Sequence, residues 1–174
     1  MIWETFCFFC FLLSKLFEFE QILKRAEHEY FDALLQSHDK QRGLCAKIMQ
    51  TKGDTTKRRQ LHQQLMLELR AHAQAEERYF YAPLMFHDEG LEITRHVMFE
   101  HHQLEDLLRE IDALDYSHSK WLVKMRQVTD MVLLHLHEEE EQFFPKAKEI
   151  LSELQKQSLA HQYWDEYHKI YDAA

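Results

Sequence analysis

Two segments of the sequence decide the fold: HAQAEERYFYAPL at residues 72–84 and HLHEEEEQFFP at residues 135–145. Each begins with a histidine that has a glutamate four residues later, continues into two adjacent aromatic residues and then reaches a proline. Residues i and i+4 lie on one face of an α-helix. Each segment is therefore predicted to be a helix that presents an imidazole and a carboxylate side by side.

The composition also favours a helical protein. Among 174 residues there are only 3 Gly and 2 Pro, too few for the many turns of a β-sandwich or barrel. Hydrophobic residues make up 45% of the chain and aromatic residues 13%, which is enough to build a buried core. The length corresponds to about one domain.

Apolar residues at helical spacing predict four long helices joined by short loops. The breaks between them fall at residues 51–54, at Pro83 with a turn at 88–90, and at 115–117, and Pro145 kinks the chain or begins a fifth helix. We therefore predict an all-α protein, an up-and-down antiparallel four-helix bundle with additional N-terminal and C-terminal helical segments. The bundle with its C-terminal helix occupies residues 18–174.

An apolar N-terminal helical segment, MIWETFCFFCFLLSKLF, is predicted at residues 1–17. It is shorter than the roughly 20 apolar residues of a spanning helix, and only Glu4 precedes its apolar core, where a signal peptide has basic residues. We expect it to pack on the domain or to form a homodimer, with a membrane or export role as the alternative. Cys7 and Cys10 are predicted to be buried thiols, because no strand-to-helix context for a redox motif surrounds them.

The charge and cysteine content restrict the possible partners. A formal net charge of −9 gives no general attraction for nucleic acid and favours binding of cations. Three cysteines without a disulfide framework indicate a reducing compartment, so we predict a cytoplasmic protein with no nucleic-acid or membrane partner.

The histidines and glutamates of the two halves repeat at one offset. His38 and His101 lie 63 residues apart, as do His72 and His135, and the glutamates Glu76 and Glu139. Neighbouring positions follow the same offset: Leu44 and Leu107, Ile48 and Ile111, Glu77 and Glu140, Phe80 and Phe143. A repeat that includes the flanking residues indicates one structural scheme used twice.

The spacing within each half predicts where these side chains meet. The two histidines of a half are separated by 34 residues, which is one helix, a turn and part of the next helix. If the halves pack about a pseudo-two-fold axis, four imidazoles and two carboxylates converge in the centre of the bundle. Such a cluster is costly to bury unless metal ions bind it.

A count of coordination positions favours a pair of metal ions. Two octahedral ions need about twelve positions, of which four histidines and two bridging carboxylates supply about eight and a shared oxo or hydroxo group about two. Mixed nitrogen and oxygen ligands without thiolate suit iron or manganese, whereas a structural zinc site would be closed and tetrahedral. We expect iron, with manganese or zinc as the less favoured alternatives. Two non-haem iron ions with open positions would bind a small diatomic ligand, oxygen or nitric oxide.

Other site patterns are absent from the sequence. There is no Glu-x-x-His of the ferritin-like carboxylate proteins, no His-Glu-x-x-His of zinc proteases, no glycine-rich phosphate loop and no Gly-x-Ser-x-Gly. Hydrolase and kinase chemistry therefore have no candidate residues.

With these residues identified, the chain resembles the hemerythrin-like, or HHE cation-binding, family. The matching stretches are SHDKQR at 37–42, EHHQLEDLL at 100–108 and the two segments quoted above, and the resemblance covers about residues 30–148. It implies a four-helix bundle with a non-haem di-iron centre. It assigns nitrogen ligands to His38, His72, His101 and His135 and bridging carboxylates to Glu76 and Glu139.

The chain differs from the oxygen-carrying hemerythrins, which have a second histidine where this sequence has glutamate. Two His-x-x-x-Glu motifs are similar to the di-iron proteins that repair iron–sulfur clusters and to iron- and oxygen-sensing domains. The resemblance therefore implies a protein that binds, senses or scavenges oxygen or nitric oxide, or handles iron under oxidative or nitrosative stress. The alternatives are a metal-gated interaction module and an iron-buffering bundle without a gas ligand. An enzymatic role stays open, as a di-iron oxidoreductase or a cluster-repair activity.

Several neighbouring residues allow more than one interpretation. His102 and His137 adjoin the proposed ligands and can replace them if the register is shifted. The run 138–141, apart from Glu139, is interpreted as a solvated helix face. Aromatic residues near the site are interpreted as core, with a hydrogen-bonding role as the alternative: Tyr30, Tyr79 and Tyr81. The remaining histidines are assigned to the surface: His28, His62, His87, His96, His118, His161 and His168.

Overall fold

The computed structural model describes residues 31–173, and it contains only helices and connecting turns within that range. The helices are α1 (31–49), α2 (Thr56–Glu76), α3 (Ala82–Leu84), α4 (Asp88–Asp112), α5 (Ser119–Glu138), α6 (Phe144–Ile150) and α7 (Glu153–Tyr171). Two short π-helical turns, π1 (Glu77–Tyr81) and π2 (Glu139–Phe143), continue α2 and α5. The predicted all-helical fold is confirmed, whereas the predicted N-terminal segment at 1–17 lies outside the described residues.

Local sequence signals account for several helix ends. Gly53 adopts a positive φ of 62°, which residues with a side chain rarely accept, and it reverses the chain after α1. Thr55 then accepts a hydrogen bond from the backbone N–H of Arg58 and begins α2. Ser152 and Gln155 form a reciprocal capping box at the start of α7.

The start of α4 differs from the predicted boundary. Residues 88–90, expected to form a turn, instead make up the first turn of the helix. Asp88 and Glu89 favour this position because negative charge stabilises a helix N-terminus. Gly90 is required there by packing, since a Cβ at this position would lie 2.3 Å from the carbonyl oxygen of Leu84.

The two π-helical turns lie at corresponding places in the two halves. π1 directly follows Glu76, and π2 begins at Glu139. Each turn then gives way to a short helix that holds its proline in the first turn, at Pro83 and Pro145. Single π turns inside helices are frequently found at functional sites, and here both adjoin the predicted glutamates.

The buried apolar residues form two clusters with a polar layer between them. Along α1, α2 and α4, the predicted histidine lies between residues of one cluster and residues of the other. Large members of the first cluster are Phe31, Phe80, Phe144 and Tyr163, and large members of the second are Leu65, Ile111, Trp121 and Met125. The apolar layers on both sides isolate the polar layer from water.

The C-terminal helix completes one side of this arrangement. α7 packs mainly against α2, while α4 packs mainly against α5. Among residues 31–173, no helix combines the length and the hydropathy that crossing a membrane requires.

Candidate metal centre

Six buried polar side chains meet in the layer between the two apolar clusters. They form two groups in which the potential ligand atoms lie within 4.8 Å of one another. Both groups contain Glu76 and Glu139; the first adds His38 and His72, and the second adds His101 and His135. The structure thus brings together all six residues that the sequence singled out. Because both glutamates are shared, the arrangement offers two adjacent cation positions bridged by two carboxylates.

The imidazole Nε2 atoms all face the two shared glutamates. The shortest distances between an Nε2 atom and a carboxylate oxygen are 3.3 Å for His38 to Glu139, for His72 to Glu76 and for His135 to Glu139, and 3.9 Å for His101 to Glu76. The Nε2 atoms of His101 and His135 are 3.2 Å apart. Both ring nitrogens are directed at the same small space and are suitable ligands for one cation.

The opposite ring nitrogen of three histidines is held by a carboxylate. Nδ1 of His38 lies 2.7 Å from Glu140 Oε1, and Nδ1 of His101 lies 2.7 Å from Glu77 Oε1. For His135 the partner is Glu100, with Oε2 at 2.8 Å. Such partners fix the ring orientation and make the inward Nε2 a better electron donor to a metal ion.

Two tyrosine hydroxyls complete the surroundings of the site. The Tyr163 hydroxyl on α7 lies 2.9 Å from Nδ1 of His72. The Tyr81 hydroxyl donates a hydrogen bond of 2.6 Å to Glu139 Oε1. Tyr81 is buried against Phe80, as its interpretation as a core residue predicts, and its hydroxyl also has the hydrogen-bonding role given as the alternative.

Several inward atoms have no hydrogen-bond partner although they are fully buried. They are Nε2 of His38 and His72, both carboxylate oxygens of Glu76, and Oε2 of Glu139. Buried polar atoms without a partner are costly, and proteins rarely leave several together. These atoms converge on the same small space, so the donor set fits metal cations bound between the four helices.

Three charged groups of the site, two imidazoles and one carboxylate, stabilise one another. Burial alone would lower the pKa of His38, but the adjacent carboxylates of Glu139 and Glu140 raise it to about 9. Burial is likewise outweighed at His135, where the charge of Glu139 and the hydrogen bond to Glu100 raise the pKa to about 9. Conversely, these two imidazolium groups lower the pKa of Glu139 in spite of its burial.

Burial shifts the pKa of two further groups in the direction that favours their neutral forms. Burial, together with the nearby charge of His38, lowers the pKa of His72 well below its ordinary value. Burial and the negative charge of Glu139 raise the pKa of Glu76 well above its ordinary value. Without a metal ion, protons on His38 and His135 therefore compensate the charge of the buried Glu139 carboxylate. Metal binding must release these protons, because metal ligands bind in their deprotonated forms.

For the neighbouring residues with more than one interpretation, the structure gives different outcomes. His102 and His137 are exposed and take no part in either group, so a shifted register is not what the structure shows. Glu140 is half-buried and holds His38, so the interpretation of the run 138–141 as a solvated face is wrong at this position.

The predicted surface histidines include one clear exception. His62 is buried, with only 2% of its surface exposed, and its Nδ1 lies 2.9 Å from the Tyr116 hydroxyl. Trp121 packs against the ring edge-on. Five of the others are placed as follows: His96, His118, His161 and His168 are exposed and His87 is half-buried, while His28, like Tyr30, lies outside the described residues.

Some of the residues missed at the sequence level had a detectable signal. Glu77 and Glu140 are 63 residues apart, and each accepts a hydrogen bond from the leading histidine of the opposite half. The repeat thus contained them, although their role was not recognised. Glu100 and Tyr163 had no such signal, because position 37 is a serine and α7 lies outside the repeat.

A cleft of about 920 Å³ leads from the surface to one end of the site. Its lining comes from α2 and α4; Glu77 and His101 lie at one end, and His62 and Tyr116 are further lining residues. His101 is also the most exposed of the four histidines, at 7%. The group that contains His101 is therefore the one that a small molecule can reach most directly.

Comparisons with known proteins agree with the geometry of the site. The family model described as hemerythrin HHE cation binding domain matches residues 25–147. A protein described as DNA nickase from Nostoc sp. strain PCC 7120 is 29% identical over 130 residues, or 74% of this chain. The aligned region makes up only 36% of that protein. No solved structure gives a significant match.

Proposed function

The chain belongs to the hemerythrin HHE cation-binding domain family, and we propose that its six buried ligands hold two iron ions that bind oxygen or nitric oxide. The observation that carries the proposal is the pair of overlapping ligand groups, each with two imidazoles and two shared carboxylates. Their unpaired, buried inward atoms are the strongest support for metal, because burial without a cation leaves them unsatisfied.

The ligand chemistry favours iron over the alternatives. Each position has two nitrogen and two carboxylate donors and no thiolate, a set suited to iron or manganese more than to a closed zinc site. We propose that the four ligand-bearing helices run up and down in antiparallel order. We propose that the chain is one of the variants with two His-x-x-x-Glu motifs, because Glu76 and Glu139 occupy the fourth position after a histidine in each half.

The surroundings of the site support a small ligand. Iron in such a site supplies redox activity and open coordination positions. The cleft beside His101 and Glu77 gives a diatomic molecule access from the surface, while the apolar clusters keep the remainder of the layer free of water. The Tyr81 hydroxyl donates a hydrogen bond to Glu139, so its proton lies directly beside the shared carboxylate.

The proposal also covers the cellular location and the partners of the protein. Cys45 is a free, buried thiol whose pKa is raised to about 11 by burial, which agrees with the reducing cytoplasm proposed for the protein. The net charge of −9 gives no general electrostatic attraction for DNA, so we do not extend the nicking activity named for the Nostoc protein to this chain. A homodimer through residues 1–17 remains part of the proposal.

The decisive experiment is metal analysis of the protein purified without added metal, with optical spectra recorded before and after oxygen or nitric oxide. We expect about two iron ions per chain and a spectrum that changes with the gas. Less than about one iron per chain, or full occupancy by zinc, would contradict the di-iron proposal. Two iron ions with no spectral response to either gas would favour the iron-buffering alternative instead.

Matched histidine variants test the ligand assignment. His101→Ala removes an inward imidazole, whereas His102→Ala removes the adjacent exposed one, and alanine is a strong helix former at both positions. We expect iron content to fall sharply only in His101→Ala. Glu139→Gln, which keeps the volume of a shared ligand and removes its charge, should lower it as well. Equal iron content in all three variants would show that these residues are not the ligands.

A further inference from the structure

A second cluster of potential ligands lies on the outer surface of α4 and α5. His96 and Glu100 are one turn apart on α4, and Glu138 is at the end of α5. The Nε2 atom of His96 lies 3.0 Å from Glu138 Oε2 and 3.4 Å from Glu100 Oε1, and all three ligand atoms are within 4.8 Å of one another. About half of the His96 side chain is exposed, so the cluster is accessible from solvent.

This cluster differs from the other exposed histidines that face an acid. In those cases a single carboxylate lies one turn along the same helix, at 3.6 to 3.8 Å: His102 with Asp106, His161 with Asp165, and His168 with Asp172. At His96, carboxylates from two helices converge on one ring nitrogen. A single N–H cannot fully satisfy both, whereas a divalent cation can bind the nitrogen and both oxygens together.

The cluster is not a consequence of the internal repeat. The positions 63 residues earlier are Ala33, Ser37 and Ala75, and all three are buried. Ala33 and Ala75 belong to the apolar cluster that includes residues of α7. The corresponding face of the second half carries potential ligands that are exposed or half-buried, so the repeat does not account for these three residues.

We propose that His96, Glu100 and Glu138 bind a divalent cation at the surface, and that Glu100 couples this cation to the interior centre. One oxygen of Glu100 faces His96, and the other accepts the hydrogen bond from Nδ1 of His135. A cation on the outer oxygen draws negative charge away from this hydrogen bond. The inward Nε2 of His135 then becomes a weaker electron donor to a metal ion. The surface site itself is independent of the proposed function, whereas the coupling rests on the proposed function.

The site is tested by titrating metal-free protein with Mn²⁺ and measuring free Mn²⁺ by electron paramagnetic resonance. We expect three ions per chain in the unaltered protein and two in His96→Ala or Glu138→Gln, with affinity for the third lowered at least about tenfold. His102→Ala is the matched control and should keep three. Glu100 is not substituted in this test, because it also accepts the hydrogen bond from Nδ1 of His135. Equal stoichiometry in the unaltered protein and both cluster variants would overturn the site.

The coupling is tested on iron-loaded protein by adding Mn²⁺ at the concentration that fills the third site. The optical spectrum of the interior centre should shift in the unaltered protein and in His102→Ala, and stay constant in His96→Ala. Binding of the third ion without a spectral shift would overturn the coupling. If the unaltered protein binds one Mn²⁺ and His96→Ala binds none, the surface site stands and the proposed interior pair fails, so the two failures are distinguishable.

Discussion

At the scale of single residues, each imidazole of the centre uses its inward ring nitrogen and its outward ring nitrogen differently. The inward Nε2 faces the shared carboxylates, and the outward Nδ1 is held by one polar partner. Three of these partners are carboxylates, while His72 alone has a tyrosine hydroxyl. When Nε2 binds a cation, Nδ1 carries the proton, so the tyrosine oxygen accepts a hydrogen bond from it.

Replacing Tyr163 with phenylalanine is expected to weaken metal binding by roughly ten- to a hundredfold, because His72 loses the partner that orients its ring. The matched control is Tyr116→Phe, which removes a hydroxyl at the same 2.9 Å from Nδ1 of His62, outside both ligand groups. Each variant should lose about 1 kcal/mol of unfolding free energy. Metal titration monitored by absorbance, and urea unfolding, check both expectations. Equal weakening of metal binding in both variants would contradict the orienting role.

Buried His62 should make the stability depend on pH. Burial lowers its pKa below the ordinary value of 6.5, although the nearby charge of Asp112 opposes this. The unfolded chain therefore takes up a proton at His62 first as the pH falls, so the contribution of His62 to folding stability decreases below about pH 6.5. When the pH is lowered from about 8 to about 5.5, the urea midpoint of His62→Gln should rise relative to that of the unaltered protein. The control His161→Gln, at an exposed position, should behave like the unaltered protein.

At the scale of elements, the ends of the helices determine how closely the ligand-bearing segments approach. π1 directly follows Glu76 and π2 begins at Glu139, so each irregular turn lies at one of the two shared glutamates. The short helix α3 then packs against the first turn of α4, with no room for a side chain at Gly90. This contact links the end of α2 to the start of the helix that carries His101.

Alanine substitutions at two helical glycines should have opposite effects. Gly90→Ala is expected to lower the unfolding free energy by about 1 to 3 kcal/mol, because its Cβ would overlap the backbone of Leu84. Gly43→Ala lies within α1 with nothing inside 4 Å of the added Cβ, and should raise it by about 0.5 to 1 kcal/mol. Urea unfolding of both variants measures the difference. A destabilised Gly43→Ala would show that α1 has a constraint other than packing at this position.

At the scale of the whole molecule, the two halves are alike inside and different outside. The inward histidines and glutamates follow the repeat, as do Glu77 and Glu140, which each hold a histidine of the opposite half. The outer faces have diverged. One is packed against α7, and the other is open and carries His96 and its two carboxylates. One side of the centre is therefore enclosed by aromatic side chains, while the other lies next to the exposed His96 and the half-buried Glu100 and Glu138.

Much of the fold could be predicted from the sequence, because helix period, glycine and proline positions and capping residues act locally. The break around Gly53 and the helix after Pro145 are where the pattern placed them. The turn at 88–90 was predicted wrongly, because a glycine that breaks a helix and a glycine that permits close packing look the same in a sequence. The surface assignment of His62 failed for a similar reason, since burial depends on distant residues such as Trp121.

For the site, the sequence by itself determined which six side chains converge, because a 63-residue repeat and the i, i+4 spacing fix both their helices and their depth. Only the tertiary structure decided which groups hold and tune them. The Tyr163 hydroxyl, the two-sided role of Glu100 and the cleft beside His101 arise where helices distant in sequence meet. Such contacts have no period along the chain, since they depend on how packed helices bring unrelated positions within hydrogen-bonding distance.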